Sequence, residues 1–257
     1  MERVSRSEFA SRRINLRFRN PIHTARLRAG AVSSAIALLL VTCPNLPLVA
    51  QKPVSIPEKI EWTWEVRPPS PDLRLPNVLL LGDSITRNYF PQVTKDLAGI
   101  ANVYLMSSST SIGDPRLPHQ IAEFSAMEKV PFRVVHFNNG MHGWGYTEAE
   151  YRSAFPQFLH AVQKLVGRKG TSIWANTTPV RQGVLEGATN ARVDERNAIA
   201  LSSVNGAGIR VDDQHALMAQ HRDLYEDDVH FNPAGANLQG DQAASMIRAV
   251  LRTATSQ

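Results

Sequence analysis

Cysteine is almost absent from this chain of 257 residues, with Cys43 the single one. A lone thiol excludes an internal disulfide framework and a cysteine-built zinc site. The eight histidines are scattered, and no pair stands at the H-E-x-x-H spacing of a zinc hydrolase. Phosphate-cradling loops are missing as well, since neither G-x-x-x-x-G-K-[ST] nor G-x-G-x-x-G occurs. The G-x-S-x-G elbow of α/β-hydrolases is absent too. No apolar run approaches the ~20 residues that a membrane span needs. The default is chemistry without a cofactor or a metal.

What is present begins with a leader. The first 50 residues hold eight Arg and two acidic residues, then the apolar stretch Ala29–Val41, and end in Leu48-Val49-Ala50. A basic region, an apolar region and a small residue before the cut form an export signal, so residues 1–50 are expected to leave after Ala50. Ser11-Arg12-Arg13-Ile14-Asn15-Leu16-Arg17 resembles a twin-arginine signal with Asn15 where an aromatic normally stands. Twin-arginine export and ordinary secretion both stay open, and the expected location is secreted or periplasmic. Removing eight of 28 basic and two of 23 acidic residues leaves 20 against 21. The excess of positive charge therefore belongs to the leader. Nothing calls for a nucleic-acid partner, nor for a membrane beyond export.

Two short motifs carry chemistry. Gly82-Asp83-Ser84-Ile85-Thr86 follows the apolar run Val78-Leu79-Leu80-Leu81, which reads as a buried parallel strand ending at a sheet edge. Ser84 then sits in the crevice outside the carboxyl ends of the strands, where open α/β sheets bind ligands. A serine hydroxyl needs a base before it attacks. Asp227-Asp228-Val229-His230 supplies one, because on a tight turn Asp227 can reach one ring nitrogen of His230 and leave the other for Ser84.

In this order these motifs resemble the SGNH/GDSL hydrolase superfamily over about Asn77 to Leu251, nearest to its bacterial carbohydrate-esterase-like members. The resemblance implies a nucleophile at Ser84, a general base at His230 and an orienting acid at Asp227. It also implies oxyanion donors: the Ser84 N–H, a Gly of a second block and an Asn of a G-x-N-D third block. The second block falls in Ser107–Gly113 with no Gly at the usual place, so Ser109 or Gly113 is expected to serve. The third reads Asn138-Asn139-Gly140-Met141-His142-Gly143. Aligned on Gly140, His142 takes the Asn position and is expected to donate as a neutral imidazole, with Asn139 as the competitor. Asp83 and Trp144 are assigned to the substrate, Trp144 as a sugar platform or a wall of an acyl groove. His136, inside an apolar strand, reads as a satisfied core residue.

Residues 51–76 form a Pro-rich arm in which Ile60, Trp62, Trp64 and Val66 alternate with polar residues, predicting one strand with that face covered. Residues 77–257 form the hydrolase-like domain. Val103–Leu105, Phe132–Phe137, Ser172–Thr177 and Ile209–Val211 read as further buried strands. A helix opens at Thr147 with a capping box to Glu150 and runs to Val166, and another opens at Asn232. Strand and helix in alternation imply a flavodoxin-like three-layer α/β/α sandwich with about five parallel strands. The expected activity is a serine esterase acting on a small-molecule or glycan ester, with a short acyl group, acetyl foremost. A lipase or thioesterase, an acyltransferase with the same triad, and a non-catalytic glycan-binding protein are the alternatives.

Overall fold

The computed structural model describes residues 54–181 and 187–255, and the expected export signal with Cys43 lies outside them. The arm contributes β1 (Thr63–Val66). From there strand and helix alternate: β2 (Asn77–Gly82), α1 (Ser84–Asp96), β3 (Asn102–Ser108), α2 (Leu117–Glu128), β4 (Phe132–Phe137) and α3 (Glu148–Leu165). The second half adds β5 (Val166–Ala175), α4 (Asn190–Gly206), β6 (Arg210–Asp212), α5 (Gln214–Ala219) and α6 (Pro233–Thr255). The sheet runs β1-β3-β2-β4-β5-β6. Every pairing is parallel except β1 with β3. The parallel strands, counted in chain order, stand as 2-1-3-4-5, the flavodoxin-like order. The expected parallel sheet is there, and the arm adds an antiparallel edge strand.

Burial explains the strand sequences. β2 lies between β3 and β4, so Val78, Leu79 and Leu80 are wholly buried whichever way they point. Val78, Leu80, Val103, Leu105 and Ile173 cluster with Tyr89 and Val93 of α1 and with Ala243, Ile247 and Val250 of α6. Leu79, Leu81, Met106, Val135 and Trp174 cluster instead with Phe124 of α2, Phe155, Phe158 and Val162 of α3, and Val204 of α4. Helices thus cover both faces. α3 opens as its sequence requires: the Thr147 hydroxyl accepts from the Glu150 N–H, and the Glu150 carboxylate accepts from the Thr147 N–H. It stops one residue short of the expected end, because Val166 pairs with Phe132 and opens β5.

His136 is a core residue, with Nε2 2.7 Å from Asp212 Oδ2 and both side chains fully buried. Burial pushes the Asp212 carboxyl up, but bonds from His136, Gln214 and Gln242 outweigh it and hold the pKa below the usual value.

The arm departs from expectation. The face bearing Ile60, Trp62, Trp64 and Val66 is covered only in part: Val66 packs against the core, whereas Ile60 is 73% exposed and Trp64 53% exposed. β1 is a short strand at the sheet edge, and Arg87 of α1 lies 4.9 Å from the Trp62 ring and 5.3 Å from the Trp64 ring. A guanidinium over two indoles takes the place of an apolar partner. What fastens the arm is polar: Ser55 donates to Asp114, the Ile56 N–H to the Tyr146 hydroxyl, and Arg116 forks onto Glu61 at 2.6 and 2.8 Å.

Candidate active site

Ser84 is placed by the turn from β2 into α1. A Cβ on Gly82 would lie 2.1 Å from the Thr86 hydroxyl, so only glycine permits this approach. Asp83 caps α1 through Oδ1, which accepts from the Ile85 N–H at 3.1 Å. Its Oδ2 accepts from the Met141 N–H at 3.2 Å, and the residue is 2% exposed. Asp83 is therefore not free to meet a substrate, contrary to expectation, because capping and loop anchoring use both carboxylate oxygens. The Ser84 N–H, in the first turn of α1, has no intrahelical acceptor to bond.

His230 reaches Ser84 from the opposite end of the chain. Its Nε2 is 2.7 Å from Ser84 Oγ, and its Nδ1 is 2.8 Å from Asp227 Oδ2. Asp227 Oδ1 accepts from the backbone N–H groups of Val229 and His230 at 2.9 and 2.8 Å, which fixes the turn. Burial pushes the Asp227 carboxyl up, but those backbone bonds and the His230 ring outweigh it and hold the pKa below the usual range. The loop is braced by the Tyr225–Phe231 stack at 4.4 Å and tied to α6 by Asn232, whose side chain accepts from the Ala234 and Gly235 N–H groups. A serine hydroxyl bonded to an imidazole, itself bonded to a carboxylate, is the arrangement that activates an oxygen nucleophile.

The loop after β4 supplies the other wall. Asn138 Oδ1 accepts from the Gly140 N–H at 2.6 Å, so that N–H is committed. Asn139 turns its amide inward onto the Thr110 and Ser108 carbonyls at 3.0 and 3.4 Å. Ser109 is spent on the arm: its N–H donates to the Trp62 carbonyl and its hydroxyl accepts from the Trp62 N–H. Gly113 packs under the Tyr146 ring, where an added Cβ would come within 2.6 Å. None of Ser109, Gly113, Asn139 and Gly140 lines the cleft at Ser84. The expectation that they serve the oxyanion is not met in this geometry: all four stand off the cleft, and the donors of Ser109, Asn139 and Gly140 hold loops together.

His142 does line that cleft, of about 490 Å³, with Glu58, Lys59, Ser84, Met141, Trp144, Val229 and His230. Its Nδ1 lies 3.0 Å from the Glu58 carboxylate, which also accepts from the Gly143 N–H. Its Nε2 is buried with no partner among the described residues. Burial pulls the ring toward neutrality, but the bond and charge of Glu58 and the charge of Asp83 outweigh it, raising the pKa above the ordinary histidine value. The expected neutral donor would need its proton on Nε2. A carboxylate at Nδ1 keeps the proton there, so a neutral ring presents a lone pair at Nε2, and only the imidazolium donates from it.

Two arginines of α4 shape this loop, and sequence reading passed over both. Arg196, 1% exposed, donates to the carbonyls of His142, Gly143 and Tyr146 and lies 4.2 Å from the Trp144 ring. Arg192 donates to the carbonyls of Trp144 and Tyr146. Gly143 takes φ +74°, and a Cβ there would strike Ser111. Glu58 was equally unmarked. Its place in a Pro-rich arm gives no local signal, and its meaning appears only where the arm crosses the cleft.

No family model matches the sequence, and no curated protein matches it. Solved structures do. A member of the lipolytic G-D-S-L family from Veillonella parvula is 20% identical, with 67% of this chain and 98% of that one aligned at a TM-score of 0.53. A carbohydrate esterase of family 3 from Talaromyces cellulolyticus is 15% identical over 70% and 99% of the two chains, with a TM-score of 0.55. A lipase/acylhydrolase from Enterococcus faecalis is 18% identical over 68% and 96%, with a TM-score of 0.53. At such identities the likeness is one of architecture: this chain shares the three-layer α/β/α fold of those structures.

Proposed function

We propose that the chain is an exported serine esterase that removes short acyl groups, acetyl foremost, from a carbohydrate. The observation that carries this reading is the continuous relay from Ser84 Oγ through His230 to Asp227, at 2.7 and 2.8 Å, opening on a cleft. Ser84 Oγ bonds to the ester carbonyl carbon while His230 Nε2 takes its proton, and Asp227 stabilises the imidazolium. The tetrahedral oxyanion receives hydrogen bonds from the Ser84 N–H and from His142 Nε2. Collapse expels the alcohol with the proton from His230, and water then hydrolyses the acyl-enzyme by the same steps reversed.

The acyl size follows from the cleft wall. Among the described residues its apolar surface comes from Met141, Trp144 and Val229, while Glu58, Lys59 and the two histidines are polar. Each methylene of an acyl chain repays about 0.8 kcal/mol only if it finds apolar cover, and this wall offers little. Nitrophenyl acetate and propionate are expected to show higher kcat/KM than the octanoate. A maximum at eight carbons or more would move the reading to a lipase. Support for a sugar alcohol comes from the Trp144 ring at the cleft and from the family named for the Talaromyces structure. Acetylated polysaccharides assayed for released acetate test it. Export is read from the leader, and sequencing the native amino terminus tests it: a start near Gln51 outside the cytoplasm is expected, and an intact Met1 inside it would overturn it.

A further inference from the structure

We propose that Glu58, carried by the amino-terminal arm, holds His142 as an imidazolium beside Ser84, so that the oxyanion is met by a charged N–H donor and the arm is part of the catalytic machinery. This rests on the esterase reading above and goes beyond it in assigning a charge state to His142 and a positioning role to Glu58.

The geometry is that of a second histidine–carboxylate pair lining the cleft that holds the nucleophile. His230 and His142 line the same cleft as Ser84, each with Nδ1 on a carboxylate. They differ in what Nε2 does. His230 Nε2 is engaged with Ser84 Oγ, as a base must be, whereas His142 Nε2 is buried and unpartnered among the described residues. An unsatisfied buried donor or acceptor costs free energy unless something supplies its partner. A developing oxyanion is such a partner only for an N–H; a lone pair at Nε2 would repel it.

Glu58 decides between the two. Its carboxylate accepts from His142 Nδ1 and from the Gly143 N–H, so it is fixed by two donors of the same loop. Burial pushes the Glu58 carboxyl up, but the His142 bond and charge and the Gly143 N–H outweigh it and lower its pKa. The remaining charged groups around the ring are Lys59 on the cleft wall, Asp83 below the loop and His230 across the cleft. Arg196 bonds to the His142 carbonyl, and Arg87 stacks over Trp62, whose edge meets the His142 ring at 5.8 Å. Among the described residues only Glu58 touches a ring nitrogen of His142.

In the transition state no proton leaves His142. The Ser84 proton goes to His230, the carbonyl π electrons go to oxygen, and His142 Nε2–H lends a charge-assisted bond. Because the His142 pKa is raised, this donor is present at low pH and lost as pH rises through the folded value. The pH profile of kcat should then carry an alkaline limb that follows the loss of the His142 proton.

The experiment measures kcat and KM for nitrophenyl acetate against pH in the full chain and in Glu58→Gln, His142→Asn, His142→Ala and the Glu58→Gln/His142→Asn double variant. Glutamine keeps the shape of Glu58 and loses its charge, so Glu58→Gln should move the alkaline limb down by about 1 to 3 pH units, with KM little changed and kcat restored toward wild type at lower pH. His142→Ala should lose roughly 10² to 10³ in kcat. His142→Asn supplies a neutral donor and should abolish the alkaline limb, and adding Glu58→Gln to it should change nothing more. An alkaline limb that stays in place in Glu58→Gln, or a Glu58→Gln effect that persists in the His142→Asn background, would overturn the proposal and leave Glu58 as a strut of the arm. Should a variant fail to fold, ¹⁵N chemical shifts of the wild-type His142 ring decide: at pH 6.5, the ordinary histidine midpoint, more than half the rings should carry both protons, and fewer than half would overturn it. Ser84→Ala separates the two readings. Activity in that variant would sink the esterase itself, whereas an inactive Ser84→Ala with an unshifted Glu58→Gln profile sinks only the role of Glu58.

Discussion

Ser84→Ala is expected to lower kcat for a short ester by about 10⁴ to 10⁶-fold while the protein stays folded. Among the described residues the hydroxyl bonds to His230 alone, so removing it takes one polar atom from a largely buried site and opens no cavity worth a stability loss. The next hydroxyl along α1, that of Thr86, is turned to Tyr89 at 3.2 Å. His230→Ala should cost about as much, because an un-ionised serine without its base is inert. The Ser84→Ala/His230→Ala double variant should be little worse than either single one, as members of a relay act as a unit. Residual turnover then reflects the oxyanion donors and binding alone. Single-turnover kinetics and mass mapping of a fluorophosphonate adduct check this. Full activity in folded Ser84→Ala, or an adduct elsewhere, would remove the relay from the mechanism.

Asp227→Asn is expected to fall by roughly 10³ to 10⁴ in kcat, and to fall further than Asp227→Ala. The reason lies in what holds each carboxylate oxygen. Oδ1 accepts two backbone N–H groups, from Val229 and His230, so an asparagine keeps its carbonyl oxygen there and turns its NH₂ toward His230 Nδ1. Nδ1 must then accept, the ring proton moves to Nε2, and the nitrogen facing Ser84 can no longer take a proton. Alanine imposes no tautomer. The Asp227 side chain is 54% exposed, so water replaces the carboxylate there and leaves the productive tautomer accessible. Steady-state kcat for both variants, with folding checked by thermal melting, tests the ranking. An Asp227→Ala less active than Asp227→Asn would mean that the carboxylate acts by charge and not by setting the tautomer.

The legible parts of this protein are those written in local chemistry. A four-residue apolar run closed by Gly82 places a strand end, a Thr147/Glu150 pair opens a helix, and Asp227 reaches His230 on one turn, each within a few residues of chain. Alternation of strand and helix then leaves few topologies, and the parallel sheet is among them. The partner of a polar group is a different matter, because it depends on which loops meet at the carboxyl edge of the sheet. Asp83 and Asn139 look equally ready to face a substrate, yet both turn inward, since the loop over them must satisfy the Met141 N–H and the Ser108 and Thr110 carbonyls. Arg196 sits on a helix, where sequence reads an arginine as solvated, and is buried because three loop carbonyls converge on it. Glu58 and His142 stand 84 residues apart and are joined only when the arm crosses the cleft. Sequence alone determined the sheet, its crevice and the pairing of Ser84 with His230; the tertiary structure decided which donors remain unengaged at the cleft, because hydrogen-bond satisfaction is settled between segments and not within them.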